Sequence, residues 1–212
     1  MAKINEKMVM SALDWAYEKA INGMPGMQNA EEMAHDYLRG TGSTASKVDS
    51  LIRWQNTKCA TTGFLTGLGG IITLPISIPA DLASTLYVQI RMIAAIAYMG
   101  GYNIRDDKVK TLIYVCLVGN SAIELLKGAG VTIAKKLADN AIKQMSGQAL
   151  KVINQKVGFR LVTKLGEKGV INLGRGIPFV GAIVGATINA FSTNTVGEAA
   201  KKIFILNTDI GA

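Results

Sequence analysis

Apolar residues follow two patterns along this chain. Over most of its length they recur every three to four positions, the spacing of a helix that buries one face. In two places, residues 59–80 (CATTGFLTGLGGIITLPISIPA) and residues 176–197 (GIPFVGAIVGATINAFSTNTVG), they run on with no charge at all. The periodic parts predict helices. Leu13, Trp15, Ala16 and Ala20 give residues 5–21 a partial apolar face, which the cluster Gly23, Pro25 and Gly26 ends. Asn29-Ala-Glu-Glu opens a second helix, AEEMAHDYL, closed by Gly40-Thr-Gly42. Ser43 or Ser46 can cap a third, SKVDSLIRWQNTK, in which Val48, Leu51, Ile52 and Gln55 recur at helical positions. After Pro79, Leu82, Leu86, Ile90, Ile93 and Ala97 describe a helix with a wide apolar face, stopped by Gly100-Gly101. Asn103-Ile-Arg-Asp-Asp107 then starts a helix expected to continue through TLIYVCLVGNSAIELL to Leu126; the length of the run favours helix over a buried strand. Over residues 131–168, Ile142, Met145, Ala149, Ile153, Val157, Leu161 and Leu165 form one apolar stripe.

The uncharged runs have the length of a membrane-crossing helix, for which about 20 apolar residues suffice. Their composition argues against that. Residues 59–80 hold two prolines and four glycines, and both runs carry small residues four apart, Gly63 with Gly67 and Gly181 with Gly185, which lets helices approach closely. Both end in a polar turn leading into a helix. The expected architecture is therefore all-α: a single domain over residues 1–212, with an N-terminal helical arm (1–57) and an apolar core (58–212) built around two Gly/Pro-rich helical hairpins. Shallow insertion into a bilayer and full spanning stand as alternatives.

Composition sharpens this picture. Apolar residues make up 49% of the chain and charged residues 18%, against a usual charged share of about 25%. The first twenty residues, broken by Glu6, Lys7 and Asp14, have no apolar stretch of signal-peptide length, so the expected location is the cytoplasm, peripheral to the inner face of the cell membrane. Cys59 and Cys116 lie in apolar stretches without metal or redox spacing and read as buried reduced thiols. The net charge of +8 is concentrated: residues 127–175 hold ten Lys or Arg against Asp139 and Glu167, and the rest of the chain balances to zero. Within that segment Lys156, Arg160, Lys164 and Lys168 repeat every four residues. They are either an ordinary solvated face or a cationic face for anionic lipid headgroups or an acidic partner.

Several blocks together resemble the EcsC protein family. They include Leu51-Ile-Arg-Trp-Gln55, Gly63-Phe-Leu-Thr-Gly-Leu-Gly-Gly70, Leu74-Pro75, Ile78-Pro-Ala-Asp81 and Gln89-Ile-Arg91-Met-Ile-Ala-Ala-Ile-Ala97. Further along come Gly158-Phe-Arg160-Leu, residues 163–174, Ile177-Pro178-Phe-Val-Gly181 and Phe191-Ser-Thr193. The resemblance spans residues 11–206. It implies a helical, membrane-linked bacterial protein, with an ABC transporter as a possible partner, and it brings no reaction and no catalytic residues.

The remaining chemistry is sparse. His35 is the one histidine, so a metal site of three or four ligands or a Ser-His-Asp arrangement has little to draw on. No metal or cofactor is expected. Aromatics make up 6% of the chain and the basic segment contains only Phe159, so it lacks the stacking platforms that nucleic-acid binding would use. Ionisable residues in apolar surroundings are the better candidates. Asp81, Arg91 and Glu124 either form structural ion pairs or join Gln89, Asn120 and Asn189 in a polar cluster facing a cavity for a lipid or other amphiphile. The favoured function is a non-catalytic accessory protein that binds lipid or a membrane transporter. The alternatives are a membrane-proximal hydrolase using Asp81 and Glu124 as a carboxylate pair, and a structural interaction module. The oligomeric state is left open.

Overall fold

Local chemistry sets the first helix boundaries. In α1 (Glu6–Asn22) the Asn5 side chain accepts the Met8 N–H at 2.9 Å, and Gly23, with φ of 86°, ends the helix. A capping box starts α2 (Ala30–Leu38): the Asn29 side chain accepts the Glu32 N–H at 2.8 Å, and the Glu32 carboxylate accepts the Asn29 N–H at 2.9 Å. Ser43 Oγ accepts the Ser46 N–H at 3.2 Å near the start of α3 (Thr44–Ala60). Then follow α4 (Ala80–Met99), α5 (Asp107–Cys116), a 3-10 turn (Gly119–Ser121), α6 (Ala122–Lys127), α7 (Leu137–Gln144), α8 (Gly147–Leu173) and α9 (Thr193–Phe204). The structure, a computed structural model, describes residues 5–60, 80–132, 137–173 and 193–206, and the side chains of 5–57, 82–132, 137–164 and 193–206. Among these residues the fold is all-α, as expected. The expected hairpins fall almost wholly outside them.

Helix α4 is the centre. Its stretch Leu82–Met99 is long and apolar enough to cross a membrane by length and composition, yet 89% of it is buried within the fold. Helices α1, α2, α3 and α9 pack against it. Val9, Leu13, Ala16 and Ala20 of α1 are fully buried in the same core as Leu86, Ile90 and Ile93. The described helices of the stretch expected as an arm, α1, α2 and α3, thus pack directly on α4. A helix apolar nearly all round needs neighbours on every side, and the amphipathic α1 and α2 supply two of them.

The long helix expected from Asp107 to Leu126 is broken in two. The backbone turns at Gly119, whose φ of +65° belongs to the left-handed region, and a Cβ there would lie 2.9 Å from Thr195 Cγ2 on α9. Glycine both permits the turn and lets α9 approach. At a second approach, a Cβ on Gly197 of α9 would lie 2.8 Å from Ile52 Cγ1 on α3. The pattern of residues 131–168 also divides into two helices, with Ser146 Oγ accepting the Ala149 N–H at 3.2 Å to cap α8. Met145, Ile153, Val157 and Leu161 of the apolar stripe are buried as expected.

Candidate functional site

One cleft of about 530 Å³ opens between α2, α3 and α4, with the turn Gly26–Gln28 along its edge. Its polar interior comes from Arg91 on α4 and Gln55 on α3, which are 5% and 3% exposed. Arg91 Nη1 donates to the Gln28 carbonyl at 3.1 Å and to the Tyr87 hydroxyl oxygen at 3.4 Å, and the guanidinium carbon sits 5.2 Å from the Tyr87 ring centroid. Arg91 Nε has no partner and Arg91 forms no ion pair among the described residues. Burial raises the Tyr87 pKa above its usual 10, against the pull of Arg91. The hydroxyl therefore stays neutral at physiological pH and supplies no counter-charge. Gln55 Nε2 lies 3.7 Å from Met33 Sδ, and its Oε1 has no partner among the described residues.

Among the described residues, Asp36 is the one carboxylate lining this cleft. It is exposed and held outward: its Oδ2 accepts from Gln28 Nε2 at 2.6 Å, and Arg39 approaches its Oδ1 at 3.7 Å. Burial first, and then the Asp36 charge, raise the pKa of Tyr37 beside it. Met27, Met33, Tyr37 and the half-exposed Trp54 complete the lining.

A second cleft, of about 510 Å³, lies where α8 meets α6 and the start of α1. Lys156 and Arg160 line it together with Glu6 and Glu124. The basic stripe of α8 is held against the ends of neighbouring helices. Lys156 Nζ donates to the Gly128 carbonyl, Arg160 Nη1 to that of Ser121 at 3.5 Å, and Lys164 Nζ to that of Val118 at 3.1 Å. Cations spaced four apart on one helix thus meet carbonyls at both ends of α6: Gly128 just past its C-terminal end, and Ser121 and Val118 at the α5–α6 break. The ridge of α8 that faces outward is the adjoining one: Lys151, Gln155, Phe159 and Thr163 are all exposed, Phe159 at 67%. The side chain of Lys168 lies outside the described residues.

The expected polar cluster is not assembled from its described members. Arg91 lines the first cleft and Glu124 the second; Gln89 is buried at 2% and Asn120 is exposed. Gln89 and Arg91 are two positions apart on α4 and so project about 200° from one another. The side chains of Asp81 and Asn189 lie outside the described residues, and with them the Asp81–Glu124 carboxylate pair. His35 is exposed and its Nε2 lies 3.1 Å from the Tyr98 hydroxyl. Among the described residues no group of three His, Cys, Asp or Glu could hold a metal. Cys116 is fully buried, which pushes its thiol pKa well up and makes it a poor nucleophile. Sequence reasoning singled out Arg91 but missed Gln28, Gln55 and Trp54 as its neighbours. The one available signal was Gln55, a polar residue at a repeating apolar position of its helix.

The model of the EcsC protein family matches residues 6–206, so both clefts lie within the match. No curated protein and no solved structure matches the chain.

Proposed function

We propose that this chain, which belongs to the EcsC protein family, is a non-catalytic accessory protein. It docks on the anionic face of a membrane, where it engages lipid or a membrane transporter. The observation that carries this reading is the outer ridge of α8. There Phe159, 67% exposed, stands in line with the exposed Lys151 and beside Lys156, on a segment that holds the whole net charge of the chain. An exposed aromatic among cations suits the boundary between headgroups and acyl chains, and each Lys or Arg near such a surface contributes about 1 kcal/mol. Glu6 and Glu124 temper the charge near Lys156 and Arg160, so Phe159 and Lys151 are assigned the larger share. An ABC-type transporter as the protein partner is suggested by the family resemblance alone.

Co-sedimentation with vesicles tests the reading. Binding to phosphatidylglycerol-containing vesicles should exceed binding to pure phosphatidylcholine vesicles and weaken with salt. Lys151→Gln should lower affinity about fivefold, the equivalent of about 1 kcal/mol, and Phe159→Glu should lower it further. Equal binding to both vesicle types, insensitive to salt and to both substitutions, would sink the proposal.

A further inference from the structure

We propose that the cleft between α2, α3 and α4 binds a monoanionic oxyacid group, a carboxylate or a phosphodiester, carried on an apolar ligand. This deepens the lipid-binding part of the reading above and is independent of α8 docking. Arg91 is 5% exposed, so its charge is largely stripped of water, and such burial costs several kcal/mol unless the charge is met. What Arg91 has in place is one carbonyl and one neutral hydroxyl, with Nε unmatched. Asp36 is turned to Gln28 Nε2 and Arg39 at the rim. Repulsion from that rim carboxylate, set against a single guanidinium, favours an incoming charge of one over a charge of two.

Gln55 supplies the second observation. Gln55 is 3% exposed in the same cleft; its Nε2 lies against a thioether sulfur, and its unmatched Oε1 is an acceptor that an anion would not meet. A thioether is a weak acceptor, so the amide N–H remains available to an oxyanion held by Arg91. The walls argue for a ligand larger than a bare ion. Met27, Met33, Tyr37 and Trp54 line a volume of about 530 Å³, within the range of small-molecule sites that combine apolar walls with a few polar anchors.

The full-length chain carries its own reporter, because Trp54 is 50% exposed at the cleft whereas Trp15 is 8% exposed in the core. Tryptophan emission would be followed while titrating decanoate, dihexanoyl phosphatidylglycerol, decanol and sodium phosphate, each below any micelle concentration. Decanoate or the phosphatidylglycerol should saturate the signal about tenfold tighter than decanol, a difference of about 1.4 kcal/mol. Whichever of the two binds tighter identifies a free fatty carboxylate or a lipid headgroup as the source. Arg91→Met should weaken that binding by at least about tenfold. Gln55→Glu, which keeps Arg91 in place and sets a second negative charge in the cleft, should do the same in a chain whose circular dichroism is unchanged. The proposal is overturned if decanol matches the anions, if sodium phosphate alone matches them, or if Gln55→Glu leaves affinity unaltered. No bilayer is present in this titration, so its failure would leave the vesicle result standing, and loss of vesicle binding in Phe159→Glu would leave the titration unchanged.

Discussion

Two clefts among the described residues are almost equal in volume, about 530 and 510 Å³, and each is lined by cationic residues, Arg91 in one and Lys156 with Arg160 in the other. They differ in what those cations meet. In the cleft on α8, Lys156 and Arg160 share the space with Glu6 and Glu124, and their donors reach the carbonyls of Gly128 and Ser121, one at each end of α6. In the cleft on α4, Arg91 is buried and no carboxylate of the described residues pairs with it. Density of charge along the chain points to α8, which holds five Lys or Arg against one Glu. Unmet charge points to α4, which has one cation. The number of cations and the availability of a cation are separate properties, and only the second implies a missing anion.

If the α8 cations are structural, removing them should cost stability. Hydrogen bonds to charged groups contribute about 1.5–3 kcal/mol each, less where solvent reaches them. The combined Lys156→Ala, Arg160→Ala and Lys164→Ala variant should therefore lose about 3 kcal/mol in urea unfolding, with relief of like-charge repulsion returning a few tenths. A loss below about 1 kcal/mol would mean that the stripe is an ordinary solvated face. In that case the difference between the clefts would be one of exposure alone.

The next effect isolates the backbone that presents those carbonyls. Gly119→Ala forces a side chain into the left-handed region, at about 1–2 kcal/mol, and drives its Cβ to 2.9 Å from Thr195 Cγ2. The expected loss is about 2 kcal/mol in total. Adding Thr195→Ser removes the opposing methyl and should recover part of it. No recovery would place the whole loss in backbone strain.

This turn also marks where the sequence stops being legible. Helix α2 could be read to the residue because its determinants are neighbours: Asn29 and Glu32 cap one end, and Gly40 closes the other. The break after Cys116 could not, because TLIYVCLVGNSAIELL is mostly apolar and the need for glycine at 119 is imposed by α9, 76 positions away at Thr195. Arg91 stood out as a charge in an apolar helix, but its neighbours Gln28 and Gln55 are brought to it only when α2 and α3 pack on α4. The separation of Gln89 from Arg91 was within reach of the sequence, since two positions on a helix project about 200° apart. The described cleft is built from α2 and the helices that flank the first uncharged run, and the second run supplies Thr195, whose methyl opposes Gly119.

The smallest effect is the most discriminating, because the cation of the α4 cleft and one cation of the α8 stripe should respond with opposite sign. Arg91→Met keeps a long, flexible, apolar stem and removes the charge. It forfeits the bond to the Gln28 carbonyl, about 1.5–3 kcal/mol for a charged donor, and it removes a desolvated cation whose burial costs several kcal/mol. Without ligand the variant should be as stable as the parent or gain about 1 kcal/mol. Lys164→Met makes a comparable exchange on α8 and should lose about 1 kcal/mol, because its ammonium already has an acceptor, the Val118 carbonyl at 3.1 Å. Urea midpoints at constant slope would measure both. With saturating decanoate the signs should align: the parent gains stability by mass action, Arg91→Met does not, and Lys164→Met gains as much as the parent. If Arg91→Met instead loses several kcal/mol with no ligand present, the guanidinium holds α2 to α4 as the α8 cations hold their neighbours, and the clefts are two instances of one structural device.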